Sequence, residues 1–115
     1  MEKFSIISLG AHRVAAAFSG VVGDNIITIF DCETRQEVGL AIGHKNRVTG
    51  LVSLNPTYFV SSGADRTVRV WDAFSFSQSA CFELDDPVFS LAKISSRMLV
   101  AGDSRGRLHW LEIEL

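Results

Sequence analysis

The chain has 115 residues, 47% of them hydrophobic and 21% charged, which suits one soluble globular domain and argues against disorder. Eleven basic and thirteen acidic residues leave a net charge of −2, far from the basic balance that holds a phosphate backbone, so no nucleic-acid partner is expected. No apolar run approaches the ~20 residues of a membrane span, and Glu2, Ser5 and Ser8 interrupt the N-terminal run where a signal peptide would be continuous. A cytoplasmic or nuclear protein without membrane contact is the expectation.

Hydrophobicity alternates with period two along most of the chain, which is the pattern of half-buried strands. In chain order the expected strands are 4–9, 13–19, 26–31, 37–42, 48–54, 58–62, 67–72, 79–84, 88–94, 98–102 and 107–113. Thr67 to Trp71 illustrates the pattern, with Val68 and Val70 on one face and Thr67, Arg69 and Trp71 on the other. Between strands lie turn-forming clusters such as Asn55-Pro56 and Gly63-Ala64-Asp65, and no segment reads as a helix of ten or more residues. The first central turn, Ser19 to Gly23, is about three residues longer than its counterpart at Gly63-Ala64. Cys32 and Cys81 stand alone, without Cys-x-x-Cys or a neighbouring histidine at ligand spacing, and are expected to be buried free thiols in a reducing compartment.

The chain also matches itself. FVSSGADRTVRVWD, starting at Phe59, lies over LVAGDSRGRLHWLE, starting at Leu99, at an offset of 40. At an offset of 41, Asp24 to Asp31 lies over Asp65 to Asp72, again an aspartate turn, a strand and an aromatic-Asp end. Three copies with a period near 40 mark a repeat architecture in which each copy is one supersecondary unit.

Ser61, His44 and Asp65 hold the side-chain inventory of a hydrolase triad. A serine nucleophile, however, needs a sharply turned, exposed backbone and an oxyanion hole. Ser61 falls inside an alternating strand and no Gly-x-Ser-x-Gly is present. His12 and His109 lie far apart in the pattern, so no metal site is written. Asp85-Asp86 before Pro87 reads as a turn, and Gly102 and Gly106 bracket a hairpin, since a strand and not a helix follows. No catalytic residue and no cofactor are assigned, and hydrolysis stays a remote alternative.

Gly43-His44, Ser61, Asp65 and Trp71-Asp72, within a period of four strands, resemble the WD-repeat β-propeller family. The resemblance covers nearly the whole chain, but only the middle copy is complete. The first keeps Asp24 and Phe30-Asp31 without the histidine. The third has Leu111-Glu112 in place of Trp-Asp, and Asp85-Asp86 where Gly-His would fall. The resemblance implies an all-β partial propeller of about three four-stranded antiparallel blades, near 1–42, 43–84 and 85–115, the last lacking its outer strand. It implies that His44, Ser61, Asp65 and Trp71 form a buried structural hydrogen-bond network. It also implies a non-enzymatic scaffold whose protein partners meet the loops between blades and the turns before third strands: Lys45, Asn46, Arg47, Ala64, Arg66, Asp86, Ser104 and Arg105. A narrower similarity is to C-terminal blades of large nucleotide-binding signalling proteins that carry WD repeats.

Three blades do not close a ring. An open arc leaves two sheet faces without neighbours, and at ~25 cal/mol per Å² each ~400 Å² left wet forgoes roughly 10 kcal/mol, comparable with the ~5–15 kcal/mol net stability of a domain. The expectation is a piece of a longer propeller, or copies that associate to complete one.

Overall fold

The computed structural model describes residues 3–19 and 23–114. They form eleven strands: β1 (Lys3–Gly10), β2 (Arg13–Ser19), β3 (Ile26–Asp31), β4 (Glu37–Ile42), β5 (Val48–Ser53), β6 (Tyr58–Gly63), β7 (Thr67–Asp72), β8 (Gln78–Glu83), β9 (Val88–Ser95), β10 (Met98–Asp103) and β11 (Leu108–Glu112). Each bound lies within one residue of the strand expected from alternation. The extended first central turn falls largely outside the described residues.

The strands form three antiparallel meanders, β1-β2-β3-β4, β5-β6-β7-β8 and β9-β10-β11. Strands β1, β5 and β9 lie side by side, so the sheets fan out from one edge into an arc of 41 × 32 × 18 Å. The period-two pattern of the middle sheet divides its side chains between two cores. Phe59 and Trp71 face the first sheet and pack with Ile27, Ile29, Ala15 and Ala41. Val60, Val68 and Val70 face the third and pack with Val88, Leu99, Ala101 and Ile113. A sheet covered on both faces tolerates few exposed positions, and every residue of β6 after the half-buried Tyr58 is buried.

The two outer faces are different. Register places Ile6, Ala16, Thr28 and Leu40 in one cross-strand row on the far side of the first sheet, beside Ile42. Ile6 and Ile42 are each 63% exposed there. On the far side of the third sheet Ala92, Val100 and Trp110 form another row, and Trp110 is 65% exposed with Leu108 and Ile94 also open.

Hairpin turns are fixed by the aspartates of the aromatic-Asp pairs. Asp31 Oδ1 accepts the amides of Glu33 and Thr34, and Asp72 Oδ1 accepts those of Phe74 and Ser75, the same Asx arrangement one repeat apart. These backbone bonds hold both carboxyls below their ordinary range. Both cysteines depart from expectation: Cys32 and Cys81 are free and exposed. Cys32 follows β3 in a turn, and Cys81 lies on the outermost strand of its sheet, where the pleat directs a side chain but no neighbouring layer covers it.

Candidate functional site: the middle-sheet network and its loop rim

Four elements meet around His44. The loop from β4 to β5 carries His44, β6 carries Ser61, the β6–β7 turn carries Asp65, and β7 carries Thr67, Arg69 and Trp71. His44 Nε2 lies 2.6 Å from Ser61 Oγ, and Trp71 Nε1 donates to the same oxygen at 2.8 Å. His44 Nδ1 lies 3.1 Å from both Asp65 carboxylate oxygens. The four expected side chains are therefore in one hydrogen-bonded chain.

Donor accounting fixes its direction. An ionised carboxylate only accepts, so the neutral His44 ring carries its hydrogen on Nδ1 and donates it to Asp65. Nε2 is then the acceptor, and Ser61 Oγ donates to it while accepting the Trp71 indole N–H. Burial is the main reason that His44 titrates below its ordinary value of 6.5, with Asp65 opposing it. Burial pushes the Asp65 carboxyl the other way, but hydrogen bonds from Thr67, the Lys45 amide and His44 outweigh it and leave the group below its ordinary value.

The polarity of this chain is that of a serine hydrolase relay. Access is not. Ser61 is fully buried, its oxygen already accepts the Trp71 indole, and Phe59 stacks beside that ring at 6.4 Å between centroids. The close fit extends to the backbone, since a methyl group at Gly63 would run into Asp65 Oδ1 and His44 Nδ1.

Two members escaped the sequence reading. Thr67 Oγ1 donates to Asp65 Oδ1 at 2.7 Å, and Arg69 reaches Thr67 Oγ1, Gln78 Oε1 and Asp65 Oδ2. A second cluster was missed in the third sheet. Asp103 accepts His109 Nε2 at 2.8 Å and Arg107 Nε at 3.1 Å, and Arg107 also pairs with Asp86. His109, first among these partners, and the Arg107 and Arg105 amides hold the Asp103 carboxyl far below its ordinary range. The available signal was the offset of 40, which lays Asp103 over Gly63 and His109 over Arg69. His12 lies in the β1–β2 turn of the first sheet, 3.4 Å from Glu33, and His109 on β11 of the third sheet. Among the described residues no group of three or more His, Cys, Asp or Glu side chains could hold a metal ion.

The eight loop residues singled out from the sequence lie on one rim. Main-chain bonds tie its segments in order: Val48 N to Asp24 O, Ala64 N to Arg47 O, Leu84 N to Arg66 O and Ser104 N to Pro87 O. Each loop between sheets is thus flanked by the central turns of the sheets on either side. Lys45, Asn46 and Arg47 lie in one loop, Ala64 and Arg66 in the next turn, Asp86 in the second loop, and Ser104 and Arg105 in the last turn. Arg47 sits over the Phe89 ring at 5.6 Å. The Asp86 carboxylate is engaged by Arg107.

The arc is similar to part of a solved protein described as U3-55K, with a TM-score of 0.80 and 24% identity, covering 95% of this chain and 33% of that one. The chain thus spans about a third of the length of that protein, and completion of such a ring falls to other blades. No curated protein matches the chain. Residues 44–113, which include the whole network, match the family model of the TEP-1 C-terminal beta-propeller, and the chain belongs to that family of WD-type propellers.

Proposed function

We propose that the chain is a non-enzymatic segment of a WD-type scaffold that presents its loop rim to protein partners. The observation that carries this reading is the rim itself. Four loop segments are locked to one another through main-chain hydrogen bonds while Lys45, Asn46, Arg47, Arg66, Ser104 and Arg105 stay exposed. Preorganised loops lower the ordering cost of binding, and arginine is favoured at anchoring positions. His44, Ser61, Asp65 and Trp71 serve this rim as a structural network: they fix the β4–β5 loop to the turn before β7. The burial of Ser61 supports this role over hydrolysis. Two exposed, unpaired thiols suit a reducing cytoplasmic or nuclear compartment.

The test is site-specific photo-cross-linking of the intact chain, with the probe at Asn46 or Ser104 on the rim and at Ser96 at the opposite end of β9. Defined protein adducts from the first two positions, lost on Arg47→Glu and absent at Ser96, are expected. Equal labelling at Ser96, or labelling unaffected by the charge reversal, would contradict the rim.

A second reading, assembly, is favoured by the uncovered faces at Ile6, Leu40 and Ile42 and at Ile94, Leu108 and Trp110. Apolar faces of this kind are interaction sites. Blades of identical or parent chains would cover them. Light scattering with circular dichroism on the same sample tests it: a folded, defined oligomer that Trp110→Lys dissociates supports assembly, and a folded monomer at all concentrations contradicts self-assembly.

A further inference from the structure

We propose that the cleft between Lys45 and Arg66 receives an acidic side chain of a protein partner, a proposal that rests on the loop-rim reading and names its chemistry. The cleft, about 290 Å³, is lined by Lys45, Asp65, Arg66, Thr67, Arg69, Glu83 and Leu84. A water occupies about 30 Å³ of liquid, so the space suits one side chain with its first waters.

The charges in this cleft differ in their availability. Asp65 is spent inward on His44, Thr67, Arg69 and the Lys45 amide, and its side chain is only 6% exposed. Arg69 is spent on Asp65, Thr67 and Gln78. Among the described residues no acceptor takes the Lys45 ammonium or the Arg66 guanidinium. Two uncommitted cations therefore face one uncommitted acid, Glu83, and Arg47 and Arg105 extend the positive charge along the rim although the chain as a whole carries −2.

The backbone at Arg66 bears on how its side chain can be tested. Arg66 has φ of 68°, in the left-handed region where a side chain is strained. At the equivalent place in the third sheet's turn stands Gly106, with φ of 80°, which adopts that conformation freely. Ala11, His12, Arg35 and Phe76 share this conformation, so at Arg66 it marks the turn and not the ligand, but it makes glycine a substitution that removes the side chain without straining the backbone. A carboxylate is the matching ligand, because guanidinium and ammonium groups form short, charge-assisted hydrogen bonds with it. A nucleic-acid backbone fits less well, since exposed Glu83 and Asp85 interrupt the cationic track that successive phosphates need.

The experiment uses the intact chain and a fluorescein-labelled hexaglutamate peptide, with hexaglutamine, hexalysine and a short oligouridylate as controls, read by anisotropy and by backbone amide shifts. Saturable, salt-sensitive hexaglutamate binding is expected, with shifts confined to Lys45–Arg47, Ala64–Thr67 and Glu83–Leu84. Arg66→Gly should weaken it roughly fivefold to tenfold while the melting temperature holds or rises, because glycine relieves the backbone. Glu83→Gln should tighten it. Unchanged affinity in Arg66→Gly, shifts elsewhere, or tighter binding of oligouridylate would overturn the proposal. Shifts of the same amides by hexalysine or hexaglutamine would overturn the acidic preference and leave the rim standing, whereas failure of rim cross-linking would remove the rim itself.

Discussion

In the middle sheet the turn aspartate, Asp65, points inward and shares a buried chain with His44, Ser61 and Trp71, whereas in the third sheet the acid stands two aligned positions earlier, at Asp103. There it gathers His109 and Arg107, whose side chains reach solvent although the carboxylate itself is buried. The two tryptophans divide in the same way: Trp71 is 1% exposed and Trp110 65%. One repeat template thus yields a network whose four side chains are all buried where sheets cover both faces, and an ion cluster with a buried acid and partly exposed partners where one face is open. Neighbouring layers decide which polar groups become architecture, because a hydrogen bond that replaces water in a dry site is costly to leave unmade.

The largest expected break in this comparison is between the tryptophans. Trp71→Ala should cost about 3–5 kcal/mol, as for other large aromatic deletions from a core, and Trp110→Ala should stay within about 0.5 kcal/mol in the monomeric chain. Chemical denaturation of both variants measures the difference, and equal losses would erase the distinction between the sheets.

Gly63→Ala comes next. Its methyl group meets Asp65 and His44, which are themselves held by other bonds, so a loss of about 1–3 kcal/mol is expected from overpacking. A midpoint unchanged in urea would show that the network yields easily.

Acidification should produce a smaller effect. The folded pKa of His44 lies below 6.5, so between that value and 6.5 the unfolded chain binds more protons than the folded one. Stability then rises with pH in this window and is lost as pH falls through it. Asp65, held below 3.8, adds its loss at still lower pH. The melting temperature should therefore drop between pH 7 and 5, and His44→Asn should flatten that slope. A rise on acidification, or the same slope in the variant, would contradict the neutral, buried ring.

The smallest effect belongs to the third-sheet cluster. Arg107→Gln removes a half-exposed guanidinium from Asp103 and Asp86, and its consequence should fade in high salt because exposed ion pairs are screened. A loss as large as that of Gly63→Ala, insensitive to salt, would place this cluster on a par with the middle one.

The strands were legible in the sequence because a period of two follows directly from the pleat, and Gly43-His44 with Trp71-Asp72 supplied the spacing for the network. What was not legible depended on layers and register. Alternation placed Cys81 on one face of β8 but could not say that nothing covers that face, so its thiol was expected to be buried. Asp103 and His109 meet only through the antiparallel register of β10 and β11, and in isolation neither residue carries a motif. Thr67 and Arg69 read as ordinary strand positions until the β6–β7 turn brought Asp65 back over them.

The most direct measurement is Ser61→Ala, followed by thermal unfolding and by hydrolysis of a simple activated ester with the same preparations. The account predicts a loss of about 1–3 kcal/mol, since His44 Nε2 and Trp71 Nε1 are left unpaired in a dry site, with no change in ester turnover. Unaltered stability together with the loss of a hydrolytic activity present in the parent chain would mean that the Ser61, His44 and Asp65 chain is chemistry and not architecture.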